Sequence, residues 1–91
     1  MELGYADIEG VGKAKVLMYL EKPPLSNDNL TVVLPVEFGS EFEALKAIDE
    51  YRKKRISATY KGKKYIIGNY KGSGKVEDTN AYRPHIGFNL K

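Results

Sequence analysis

The 91-residue sequence contains no cysteine and no tryptophan, a single histidine and two methionines. Without cysteine the chain forms no disulfide, offers no thiolate to zinc or an iron–sulfur cluster and performs no thiol chemistry, a usage that suits a reducing compartment. A long apolar run is also missing. The longest, Val16–Leu20, is too short to cross a bilayer or to form a signal-peptide core. The expected location is therefore the cytoplasm, with no membrane partner. Four prolines and nine glycines are too few for a low-complexity polymer, and no internal repeat is visible.

What is present suits one small domain over residues 1–91, with 42% hydrophobic and 30% charged residues. A domain of this size buries only roughly 60–65% of the surface its unfolded chain exposes, so its stability margin is small or shared with a second copy. Charge is unevenly distributed. Residues 1–50 carry four lysines against ten acids, whereas residues 51–91 carry eleven Lys/Arg against Glu77 and Asp78 alone, for a net +3. Such a split points to a basic surface for a polyanion or to an electrostatic contact between two protein surfaces.

Leu3–Ile8 and Lys13–Glu21 read as strands joined by a turn through Gly10 and Gly12. The second strand is apolar on both faces, with Val16, Met18 and Leu20 alternating with Leu17 and Tyr19, and is expected to be central or to face a partner. Lys22-Pro23-Pro24 ends it, and Ser26-Asn27-Asp28-Asn29 supplies turn chemistry. Leu30–Phe38 alternates cleanly as a half-buried strand, with Pro35 marking an edge or a bulge. Ser40 and Glu43 form a capping box that opens a helix with Phe42, Leu45, Ile48 and Tyr51 on its sheet-facing stripe. Acids open this helix and Arg52–Arg55 close it, which complements its dipole, and Asp49–Lys53 and Glu50–Lys54 have the spacing of ion pairs.

Ile56–Lys61 and Lys64–Tyr70 flank Gly62-Lys63, a Gly-X pair that suits a type II′ hairpin turn. In that register Tyr60, Tyr65, Ala58, Ile67, Ile56 and Asn69 share the inner face, while Thr59, Lys61, Lys64, Ile66 and Tyr70 share the outer one. Lys71–Lys75 reads as a flexible Gly-Ser loop, Glu77–Pro84 as irregular, and Ile86, Phe88 and Leu90 as a last strand. The expected fold is α+β: one helix and an antiparallel sheet of five to six strands in the order βββαββ(β). That is also the element order of an OB-like, partly open barrel. The analogy is one of order alone, for no motif marks a family.

His85 has no second strong transition-metal ligand and no serine elbow to activate, so it reads as a histidine starting an edge strand, and neither a cofactor nor a metal is expected. Gly10–Lys13 and Gly72–Lys75 fail as phosphate loops, since the glycine spacing, the following hydroxyl and a following helix are all missing. The remaining constellation is Tyr60–Lys75, with five lysines, three tyrosines and no acid in sixteen residues. Lysines neutralise phosphates and tyrosine rings stack on unpaired bases. The sequence thus points to a non-enzymatic, nucleic-acid-binding protein that favours single-stranded DNA or RNA. Its candidate residues are Arg55, Lys61, Lys63, Lys64, Tyr65, Tyr70, Lys71 and Lys75. The alternative is a protein-interaction module or inhibitor, such as an accessory protein of a mobile element, working through a sheet edge or its acidic helix. A homodimer covering Leu17, Tyr19 and Ile66 is compatible with either.

Overall fold

Alternation of apolar residues with polar ones builds short strands, and two-residue reversals between them favour antiparallel pairing. In the computed structural model, which describes residues 2–24 and 28–90, this yields β1 (Tyr5–Ile8), β2 (Gly12–Tyr19), β3 (Leu30–Val33), α1 (Glu41–Lys53), β4 (Ser57–Tyr60), β5 (Lys63–Lys75) and β6 (Tyr82–Leu90). Ser26 and Asn27, assigned to a turn by sequence, lie outside the described residues. The strands close into an antiparallel barrel in the order β1-β2-β3-β6-β5-β4, sealed where Asp7 and Ile8 pair with Thr59 and Ala58. This is a small single α+β domain with the expected order of elements, consistent with an OB-like barrel that is closed by six strands among the described residues.

Side chains pointing inward fill the barrel: Ala6, Ile8, Ala14, Val16, Leu30, Val32, Ala58, Tyr60, Tyr65, Ile86 and Phe88 are all buried. Tyr60 and Tyr65 enclose Tyr19, at 5.4 and 6.4 Å between ring centroids, and the Tyr60 hydroxyl donates to the Leu3 carbonyl at 2.7 Å. Ser40 caps α1 by accepting from the Glu43 amide at 3.2 Å, and Ala44 and Ile48 bury the helix against β5 and β6.

Several expectations need correction. Pairing jumps from Val16–Val32 to Met18–Thr31, so Leu17 is an extra residue in β2. This bulge reverses the alternation and leaves Leu17 and Met18 exposed while Tyr19 turns inward. The β3 ladder ends at Val33, before Pro35, and resumes only as an isolated Phe38–Tyr82 bridge. Of the expected helix stripe, Ile48 is buried and Leu45 and Tyr51 pack against the core, but Phe42 is 74% exposed, because the buried face is centred on Ala44 and Ile48. The helix ion pairs form at three-residue spacing, Asp49–Arg52 and Glu50–Lys53.

The β4–β5 turn is Lys61-Gly62, both with positive φ (49° and 80°), and sets Tyr60 opposite Lys63 and Ala58 opposite Tyr65. That backbone matches the twist of the paired strands. The pairing differs from expectation by two residues, so Ala58, Tyr60 and Tyr65 keep the inner face and Lys61, Lys64 and Ile66 the outer one, whereas Asn69, expected inside, is exposed where the β5 register shifts. Lys71–Lys75, expected as a loop, belongs to β5 and pairs with Tyr82–Ile86, and Leu90 is exposed. His85 lies between β3 and β5 and not at an edge.

Candidate nucleic-acid interface

Strand alternation that turns apolar residues into the barrel turns the intervening ones out, and on β2, β5 and β6 several of those are cationic. Tyr5 on β1 pairs with Lys15 on β2, Lys15 with Val33 on β3, and Val33 with His85 on β6. His85 pairs in turn with Gly72 on β5, and Arg83 with Gly74. Five neighbouring strands thus form one outer wall, about 19 Å across at the usual inter-strand spacing. A concave cleft of about 460 Å³ runs over it, lined by Tyr5, Lys13, Lys15, Leu17, Val33, Pro35, Gly74, Lys75, Val76, Arg83 and His85.

The charge on this wall is only partly compensated. Among the described residues Lys13, Lys15 and Lys75 make no ion pair, while Arg83 donates from Nη2 and Nε to Glu37 Oε2 at 2.7 and 3.2 Å. Asp7, opposite Lys13 in the β1–β2 register, offsets one charge at that end.

Rings accompany the cations. Tyr5 is 61% exposed, and Tyr70 is also exposed. The His85 ring lies over Gly74, and the Tyr70 hydroxyl lies over Gly72, at 2.9 Å from where a β-carbon would stand. The two glycines therefore let neighbouring rings settle onto the sheet. Partial burial lowers the His85 pKa below its ordinary 6.5, favouring the neutral ring.

An irregularity in β5 fixes Tyr70. Pairing steps from Ile67–Phe88 to Lys71–Ile86, which leaves Gly68, Asn69 and Tyr70 opposite Gly87. The Asp28 carboxylate accepts from the Asn69 and Tyr70 amides at 3.4 and 2.9 Å and satisfies donors that the ladder omits. The Arg52 guanidinium donates to the Gly68 and Asn69 carbonyls at 3.3 and 2.7 Å, fixing the same segment from the helix side.

The eight residues singled out by sequence do not form one surface. Lys75 lies on the wall, with Tyr70 beside Gly72 on the same face. Lys63 begins β5 and Lys75 ends it, a contour of about 40 Å at the usual rise per residue. Lys61 sits over the Tyr60 ring at 5.4 Å, and Lys71 pairs with Asp49 at 3.2 Å. Arg55 and Lys64 line a different cleft, between the end of α1 and the β4–β5 hairpin. Tyr65 is a core residue, 1% exposed, with its hydroxyl 3.4 Å from that of Tyr19 and its pKa pushed up to about 12, first by burial and then by that neighbour.

Sequence reasoning missed Tyr5, Lys13, Lys15, Arg83 and His85. The signal was present in the alternation of Lys13 and Lys15 along β2, but both stand in the acidic half of the chain.

The fold and this wall define a closed antiparallel barrel with one helix among the described residues and a basic, aromatic outer face. Compared with known proteins, the chain matches no family model, no curated sequence and no solved structure. No helix among the described residues is long and apolar enough to cross a membrane, and no group of three or more His, Asp or Glu residues there could hold a metal ion.

Proposed function

We infer that the protein binds single-stranded DNA or RNA along the wall of β1, β2, β3, β6 and β5. The observation that carries this reading is the set of unpaired Lys13, Lys15 and Lys75 around the exposed Tyr5 ring and the His85 ring in one concave cleft. Lysines at separate points of such a wall meet successive phosphates, and rings between them stack on unpaired bases of any sequence. OB-like barrels use the outer face of their central strands in the same manner. A duplex is disfavoured, because α1 begins with Glu41 and Glu43 and presents no base-reading surface. We read the protein as non-enzymatic: the cleft lining holds cations, rings and apolar groups, without a carboxylate, serine or threonine to work beside His85.

Fluorescence anisotropy with a labelled oligothymidylate tests this. Binding at low salt should weaken with a log–log salt slope of about −2, since three phosphate contacts contribute about −0.7 each. Lys13→Glu with Lys15→Glu should abolish binding. No binding by the unaltered protein at low salt overturns the reading.

A second reading, a protein-interaction module, is favoured by one feature. Phe42 protrudes from α1 beside a cleft of about 730 Å³ whose charged lining is Glu37, Glu43, Glu50 and Lys46, a net acidic face that suits a basic segment with an apolar anchor, although Glu37 and Glu50 are already paired with Arg83 and Lys53. Barrel closure weakens the sheet-edge route and leaves this helix face. The homodimer surface is less favoured, since Leu17 and Ile66 line separate clefts and Tyr19 packs inward.

A further inference from the structure

Arg55 follows the last turn of α1 with φ 51°, in the left-handed region where a β-carbon is crowded and glycine is the usual occupant. Its hydrogen bonds explain the backbone: the Arg55 amide donates to the Arg52 carbonyl at 3.1 Å and the Ile56 amide to Tyr51 at 3.4 Å, the double reversal that commonly ends a helix. The hydrogen bonds require a left-handed residue but not an arginine. The side chain must therefore be accounted for separately.

It borders a cleft of about 650 Å³ together with Lys54 and Lys64. None of these three makes an ion pair among the described residues. The lining also holds Arg52, which donates to the Gly68 and Asn69 carbonyls, and one acid, Glu9, whose Oε1 accepts from the Ser57 amide at 3.3 Å and whose charge offsets one of the cations. Three cations from the helix end and from β5 thus converge on a concave surface with more charge than that acid offsets.

We propose that this cleft is a phosphate-binding site made by Lys54, Arg55 and Lys64, with Arg55 occupying a strained backbone position to deliver its guanidinium there. The planar guanidinium suits two phosphate oxygens at once, and the lysines supply point charges beside it. The site takes a phosphate ester or anhydride, whether free or in a nucleic-acid backbone. It stands independently of the wall on β1 and β2, because it shares no lining residue with that cleft.

Arg55→Gly separates the site from its structural background. Relief of the left-handed strain should raise the melting temperature by a few degrees, as expected for a domain of this length. The same change should weaken pyrophosphate binding about fivefold, read from the amide shifts of residues 54–57 and Lys64 at low salt. Arg55→Lys should recover only part of the affinity, since it restores the charge but not the two-point contact. If pyrophosphate leaves those amides unmoved, or Arg55→Gly binds it as tightly as the unaltered protein, the proposal fails.

Oligothymidylate distinguishes the source. A weakening by Arg55→Gly that adds to the effect of Lys13→Glu assigns the site to a nucleic-acid backbone. An unchanged oligonucleotide affinity beside a weakened pyrophosphate affinity assigns it to a free phosphate compound. Loss of oligonucleotide binding is no part of the pyrophosphate test, so each reading can fail without the other.

Discussion

His85 lies across Gly74 so closely that a β-carbon there would come 2.5 Å from Nε2 and 2.7 Å from Cε1. The ring can swing away, since these are its outer atoms, and Gly74 has no left-handed backbone requirement. Gly74→Ala should therefore change stability by less than about 1 kcal/mol while moving His85 off the wall. Oligonucleotide affinity should fall severalfold, checked by anisotropy beside a thermal melt.

Gly87→Ala makes the opposite case. A β-carbon there would collide with Asp28 Oδ2 and come 2.6 Å from Cγ, and that carboxylate is tied to the Asn69 and Tyr70 amides. Displacing it breaks two partly buried hydrogen bonds to a charged carboxylate and forces the surrounding strands apart, so a loss of about 2–3 kcal/mol is expected in urea unfolding. Equal stability losses at positions 74 and 87 would contradict this account.

The histidine also carries a pH signature. Burial lowers the folded-state pKa of His85 below 6.5, so at acid pH the unfolded chain binds more protons than the folded one. Its contribution is complete above about pH 6.5 and is lost as pH falls from there through the depressed folded value. Thermal melts should thus decline from pH 6.5 towards 5, and His85→Gln should flatten that decline. Oligonucleotide binding should move the other way, strengthening as protonation adds a charge beside the lysines.

The extent to which the sequence disclosed this molecule follows from how far each signal reaches along the chain. Ser40 and Glu43 mark the start of α1 locally. The inner positions of Tyr60 and Tyr65 survived a change of turn because pairing moved by two residues and kept the faces. Leu17 was illegible: one extra residue reverses the alternation, and nothing in its side chain announces it. Gly72 and Gly74 read as a flexible loop because their partners, His85 and Arg83, stand on the neighbouring strand, beyond a segment with no strand pattern of its own. Lys13 and Lys15 were likewise counted with the acids, although closure sets them on one wall with Lys75.

Tyrosines on opposite sides of β5 offer a direct comparison. Tyr65 is 1% exposed and closes an aromatic group with Tyr19, so Tyr65→Ala should cost about 3–5 kcal/mol. Tyr70 projects outward and its loss removes no core contact, so Tyr70→Ala should leave stability within about 1 kcal/mol while weakening oligonucleotide binding by about 1–3 kcal/mol. A collapse of stability in the Tyr70 variant would contradict its outward placement.

Helix α1 separates the two functional classes. Ile48 is fully buried, and Ile48→Ala should cost about 2–4 kcal/mol by leaving a cavity under the helix. Phe42, one and a half turns earlier, is 74% exposed, so Phe42→Ala should shift unfolding by no more than about 0.5 kcal/mol. A nucleic-acid binder leaves this side chain idle, and oligonucleotide affinity in the Phe42 variant should equal that of the unaltered protein, since that face, with Glu37, Glu43 and Glu50 against Lys46 alone, offers phosphates no cluster of cations. A protein-interaction module requires the reverse. In that case Phe42→Ala abolishes co-purification of a basic partner, and Lys13→Glu with Lys15→Glu leaves the partner bound. Measuring both affinities on both variants decides between the classes, and both variants are expected to fold, because Phe42, Lys13 and Lys15 lie outside the barrel core.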